Sequence, residues 1–216
     1  MYKNILFDLD GTLVKSEEGI FKSLRHGLKG HLETEPTDKD LLPFIGPPIT
    51  DSLSNVYGFD EEKQRAIVSK YRERYNDTGL FEAELYEGIE EVLEELVKDY
   101  KLYVVTTKPE PSAKKVIDHF GLSSYFQGIY GPTLDGKYND KSDLMAHALE
   151  DSSIDPKGSL MIGDRKYDMI AAKDNGLDRA GVLYGYGDEE ELRKAGAQDI
   201  IKEPKDIVDY IKKQGK

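Results

Sequence analysis

The chain contains no cysteine, which excludes disulfides, a thiolate metal site and a cysteine nucleophile. Histidine is scarce too: His26, His31, His119 and His147 are scattered without metal-ligand spacing and read as surface or helix residues. No apolar run approaches the length of a membrane span, and the N-terminus lacks the basic-then-apolar layout of a signal peptide. A cytoplasmic location is therefore expected, with the sequon Asn76-Asp77-Thr78 a coincidence. Apolar residues are only 38% of the 216, against 33% charged, enough for a core under a heavily charged surface. Acids outnumber bases 42 to 30, a net charge of −12, so nucleic acid and membrane are both discounted as partners. No internal repeat or low-complexity segment is present.

What the chain does have begins at Asn4, in the run NILFDLDGTL. An apolar stretch, Ile5 to Phe7, ends in two carboxylates, Asp8 and Asp10, followed by Gly11 and Thr12. Alternation along a strand places Asp8 and Asp10 on the same side. Like charges that close call for a cation, a shared proton, or both. Read alone, the run favours a strand ending in a solvated acidic turn; three further pieces downstream overturn that reading.

Short apolar segments at Lys3–Phe7, Leu102–Thr106 and Ser159–Ile162, with weaker ones at Ile129–Tyr130 and Ala180–Leu183, read as parallel strands. Helical patterns follow them, at Ser112–Phe120, Lys141–Glu150, Asp168–Asn175 and Glu189–Ala195. This alternation predicts an α/β fold, a doubly wound Rossmann-like parallel sheet, with ligands beyond the carboxyl ends of its strands. The stretch 16–84 breaks the rhythm with three helical patterns, Glu18–Lys29, Ile49–Tyr57 and Glu61–Asn76, and no convincing strand. It is expected to be an inserted all-helical cap, residues 16–84, on a core made of 1–15 and 85–216. The linkers Val14–Ser16 and Glu82–Glu87 are expected to serve as hinges, and a helix over Gly88–Asp99 returns the chain to the core.

Three further pieces follow in order. After the segment ending at Val105 the chain reads Thr106-Thr107-Lys108-Pro109, where the Thr106 hydroxyl can hold an anion's oxygen or cap a helix. Lys141 opens the next helix, where the helix dipole disfavours a cation unless an anion stands in front of it. Finally Gly163-Asp164-Arg165-Lys166-Tyr167-Asp168 again ends an apolar strand in an acid, with a second acid one helical turn on. Converging carboxylates on rigid elements suit Mg²⁺, which takes a few carboxylates and keeps waters for a substrate phosphate.

The order DxDGT, Thr, Lys, GDxxxD resembles the haloacid dehalogenase superfamily of phosphotransferases along essentially the whole chain. The insert position resembles its helical-cap members. FIGPPITDSL (Phe44–Leu53), LYEGI (Leu85–Ile89) and VLYGYGDEEEL (Val182–Leu192) resemble the phosphoglycolate-phosphatase-like branch and its 5′-nucleotidase-like subgroup. The resemblance implies a nucleophile in Asp8 and an acid, then base, in Asp10. It implies Mg²⁺ held by Asp8, Asp164 and the Asp10 backbone carbonyl, with Asp168 as anchor, and phosphoryl oxygens held by Thr106 and Lys141. Two departures stand out. Thr107 occupies a position more often Asn or Ser, and the usual Lys-Pro pair is missing, so Lys137 competes with Lys141. The separation 164 − 141 = 23 lies nearer the gap usual in the family it resembles, and Lys141 begins a helix, so the resemblance implies Lys141. Lys108 and Arg165 either add positive field or are solvated.

The expected activity is Mg²⁺-dependent hydrolysis of a small phosphomonoester through an aspartyl-phosphate. A phosphomutase and a non-catalytic phosphate-binding or signalling module are the alternatives. Specificity is expected in Phe44–Ser52 and the neighbouring helices. Phosphoglycolate would call for a cation such as Lys22, Arg25 or Arg72. A nucleoside 5′-monophosphate would call for an aromatic wall from Phe44, Tyr57, Phe59, Tyr71 and Tyr75, unless those rings form the cap's own core. A monomer or weak homodimer is expected.

Overall fold

The computed structural model describes residues 2–214. In chain order the elements are β1 (Asn4–Phe7), β2 (Val14–Lys15), α1 (Glu17–Leu28), α2 (Asp38–Leu41), α3 (Ile49–Tyr57), α4 (Glu61–Asp77) and β3 (Glu84–Leu85). There follow α5 (Ile89–Leu96), β4 (Lys101–Val105), α6 (Glu110–His119), β5 (Phe126–Tyr130), α7 (Lys141–Asp151), β6 (Ser159–Gly163) and α8 (Lys166–Asp174). The last are β7 (Asp178–Val182), α9 (Glu189–Lys194), β8 (Asp199–Ile201) and α10 (Asp206–Gln214). The chain divides into two compact units, Met1–Lys15 with Leu85–Lys216, and Ser16–Glu84.

The first unit is built on a six-stranded sheet in the order β5-β4-β1-β6-β7-β8, every pairing parallel. Parallel strands need both faces covered, and β1 meets that demand: Ile5, Leu6 and Phe7 are fully buried. From β1 the chain winds to one side through β4 and β5, then crosses to β6 and winds the other way. The reversal places β1 between β4 and β6, at the switch point where such sheets bind ligands. Helix α5 buries Ile89, Val92, Leu93 and Leu96, a single stripe at helical spacing. Under another part of the sheet Leu6, Val105, Leu144, Met145, Met161 and Ala171 pack as one cluster.

The second unit contains α1 to α4. Its core holds Leu24, Leu53 and Ile67, all fully buried. Phe44, Tyr71 and Tyr75 are buried in the same unit, with Tyr71 and Tyr75 stacked at 5.0 Å. Phe44, Tyr57 and Phe59 form a ladder with centroid separations of 5.9 and 5.3 Å. The aromatics that could have formed a nucleotide wall are therefore largely spent on packing. Two of the three candidate cations are also committed within the unit, Arg25 to Asp38 and Lys22 to Glu18 and Glu82, while Arg72 is exposed.

The linkers expected to serve as hinges carry short strands, β2 and β3. The pattern of strands and helices expected from the sequence omits β8 and α10. A three-residue strand gives too little alternation to read, but Ile207 and Ile211, buried one turn apart, are a legible helical signal.

Since β1 is central, Leu6→Ala should destabilise the protein by about 2–5 kcal/mol in urea unfolding. Leu134→Ala, at a loop side chain 69% exposed, should stay within about 0.5 kcal/mol.

Candidate active site

The sheet fixes the first acid through its own backbone. Asp8 follows β1, and its N–H donates to the Ile162 carbonyl at 3.0 Å, extending the ladder by one rung. Asp164 follows β6, Thr106 follows β4, and Lys141 is the first residue of α7. All but Asp10 are at least nine-tenths buried. Carboxylate oxygens of Asp8, Asp164 and Asp168 lie within 4.8 Å of one another.

Lys141 stands between two of these acids. Its Nζ donates to Asp8 Oδ1 at 2.8 Å and is ion-paired with Asp168 Oδ1. The helix start that disfavours a cation thus has anions in front of it, while Asp140 caps the α7 amides, accepting from the Ser142 and Asp143 N–H groups. Lys137, the competing candidate, is exposed, its ammonium 4.5 Å from the Tyr138 ring centroid.

Asp164 and Asp168 are oriented by backbone and by space. Asp164 accepts from Thr12 Oγ1 at 3.3 Å and from the Tyr186 N–H at 2.8 Å. Gly11, at φ +87°, lies so close that a Cβ there would sit 2.2 Å from Asp164 Oδ2. Asp168 accepts from the Arg165 N–H at 2.9 Å and closes the first turn of α8. A Cβ on Gly163 would collide with the Asp168 carboxylate at 2.2 Å.

Asp10 goes elsewhere. Both of its oxygens are held by Lys108 Nζ, Oδ1 at 3.0 Å and Oδ2 at 2.8 Å. The alternation that places Asp8 and Asp10 on one side of the chain therefore ends in two ion pairs, one lysine per acid. The Thr106 hydroxyl accepts from the Lys108 N–H at 3.2 Å and so joins the site through Lys108. It is not a helix cap, since α6 starts at Glu110 behind Pro109. Arg165 is engaged by Glu191 at 2.9 Å. Lys108 is the residue that the sequence leaves undecided; its only signal is a position two residues after Thr106, on the same turn.

Burial raises the Asp8 carboxyl to about 6; Lys141 opposes that shift, and Asp168 and Asp10 reinforce it. Burial also pushes Asp164 well above the usual carboxylate range, helped by Asp8 and Asp168 and opposed by the Tyr186 N–H and Arg165. Burial works against the Lys141 ammonium, but Asp168 and Asp8 outweigh it and leave its value raised. Three buried acids stand together, and one lysine pairs with two of them. That charge imbalance, on oxygen ligands alone, fits a hard divalent cation.

A family model described as haloacid dehalogenase-like hydrolase matches residues 5–182. The chain belongs to that family. A 5′-nucleotidase of Pseudomonas aeruginosa is 44% identical to this hydrolase over 89% of the chain and 87% of the relative. The tyrosine-protein kinase PtkA of Mycobacterium tuberculosis is 37% identical over 88% of the chain, which spans 65% of that relative's length. The crystal structure of a predicted phosphatase from Clostridium acetobutylicum superposes with a TM-score of 0.94 at 40% identity, covering 99% of both chains.

Between its ordinary value of 3.8 and about 6, Asp8 is protonated in the folded hydrolase but ionised in the unfolded chain. Its ionisation therefore costs stability above about pH 6 and the cost disappears as pH falls through that window. With chelator present, Asp8→Asn should melt a few degrees above the parent at pH 7.5, at about 2–4 °C per kcal/mol. The gap should close towards pH 5 in thermal unfolding.

Proposed function

We propose that this hydrolase is a Mg²⁺-dependent phosphomonoesterase that works through an aspartyl-phosphate, with Ser16–Glu84 as its helical cap. The observation that carries the reading is the pair Asp8 and Asp10, two residues apart and each held by its own lysine. One carboxylate can then act as nucleophile while the other handles protons.

An Asp8 oxygen attacks phosphorus, and the bond to the leaving oxygen breaks as Asp10 delivers a proton to it. Water then attacks the aspartyl-phosphate, its proton passes to Asp10, and the bond to Asp8 breaks. Lys141 and Thr106 bind the phosphoryl oxygens and spread their charge. The residues fit Mg²⁺: Asp8, Asp164 and the Asp10 backbone carbonyl would hold it, with Asp168 steadying them while tied to Lys141 and the Arg165 N–H. When bound, the ion draws negative charge off the transferring phosphoryl group.

For substrate class, a nucleoside 5′-monophosphate takes precedence over phosphoglycolate. The name of the Pseudomonas relative supports it. The commitment of Lys22 and Arg25 to acidic partners weakens the carboxylate-reading alternative. The buried Tyr71–Tyr75 pair leaves nucleobase recognition to other groups, with Phe44–Ser52 the segment to probe.

Phosphate release from 5′-nucleotides, phosphoglycolate, sugar phosphates and β-glucose 1-phosphate should require Mg²⁺, stop with excess chelator and peak on a 5′-nucleotide. Asp8→Asn should lower turnover by roughly 10⁴-fold or more while the fold survives, by circular dichroism. Full activity in Asp8→Asn would refute the aspartyl-phosphate route.

A further inference from the structure

Lys108 is a buried lysine that the reaction as written leaves without a role. It is 7% exposed, and its ammonium meets both oxygens of Asp10. A buried ammonium is costly unless paired, and a pair in which one cation takes both oxygens restricts where the carboxylate can turn.

The backbone carrying this lysine is fixed from several directions. The Lys108 N–H donates to the Thr106 hydroxyl. The Thr106 N–H donates to the Tyr130 carbonyl and the Glu110 N–H to the Pro132 carbonyl, each at 3.0 Å. Gly131 presses against the turn so closely that a Cβ there would lie 2.3 Å from the Lys108 carbonyl oxygen. The end of β5 thus clamps the turn, and the turn presents its ammonium to Asp10. Meanwhile the three-carboxylate group contains Asp8, Asp164 and Asp168 but not Asp10. One lysine serves each branch: Lys141 pairs with Asp8 and Asp168, and Lys108 with Asp10.

We propose that Lys108 is the positioning residue of the second half-reaction, fixing the Asp10 carboxylate where it takes the proton of the hydrolytic water. This rests on the phosphomonoesterase reading above. In that half-reaction the water oxygen bonds to phosphorus, the bond from phosphorus to the Asp8 oxygen breaks, and the water proton goes to Asp10. Lys108 gains and loses nothing; it holds the acceptor in place. An activated ester needs little proton donation to its leaving group, so it isolates the step that depends on Lys108.

The test uses the full-length protein with Mg²⁺ and p-nitrophenyl phosphate in rapid-quench kinetics. Lys108→Met and Lys108→Gln should each release about one nitrophenolate per enzyme in a burst near the parent's rate. Steady turnover should then fall by about 100-fold. The enzyme should accumulate as an acid-trapped phosphoprotein, detected by mass. Equal loss of burst and steady state, with no phosphoprotein, would overturn the proposal, since a misfolded or distorted site slows both steps alike. Asp10→Asn supplies an independent measurement should the lysine variants fail to fold. It should accumulate the same phosphoprotein, and its failure to do so while still turning over the ester would leave Lys108 no base to position. Absence of any hydrolysis by the parent enzyme would instead overturn the phosphomonoesterase reading.

Discussion

The Lys141 ammonium, shared between Asp8 and Asp168, is the interaction on which the site's geometry depends. Three carboxylates buried within 4.8 Å would repel strongly if left alone. One lysine at the start of a helix offsets part of that repulsion, and the parallel sheet supplies the rigidity that keeps the acids from moving apart. The glycines beside Asp164 and Asp168 follow from the same demand, because side chains there would displace the carboxylates. Losing Lys141 would leave Asp8 and Asp168 buried without their cation, which is far costlier than never burying them, whereas losing Asp8 leaves Lys141 paired with Asp168.

Legibility in the chain depends on whether the signal is local. Asp8, Asp164 and Lys141 each follow an apolar segment or open a helix, so strand ends and helix starts mark them in the sequence itself. The alternation in Asp8-Leu9-Asp10 places both acids on one side. It cannot disclose that each meets a different lysine, because Lys108 is 98 residues from Asp10 and lies on a turn. The aromatics of 16–84 are ambiguous for a related reason. Spacing alone does not tell a binding wall from a small core, and burial of Phe44, Tyr71 and Tyr75 decides for the core. Thr106 read alone favours a helix cap over an anion holder, and the Pro109 start of α6 removes the cap.

The acidic composition has little part in holding the fold. Part of the surface charge is arranged as helical pairs one turn apart, such as Arg65 with Glu61 and Lys194 with Glu190, all exposed. Such pairs are worth only about 0.3–0.5 kcal/mol each. Stability resides in the apolar faces of the sheet, and the charges are free to serve solubility. That division explains how a chain of modest apolar content can bury β1 completely.

The place of β1 in the sheet also bears on how the protein is made. It is the first of the six strands to leave the ribosome, yet its neighbours are β4 and β6, and β6 ends only at Gly163. At ~5–20 residues per second, roughly 10–30 s of synthesis separate β1 from its second partner. Throughout that interval the Ile5-Leu6-Phe7 segment has at least one edge without a strand to pair with. The nascent chain therefore carries an exposed, apolar strand edge long before it has an active site, and this is the stage at which chaperone contact matters most.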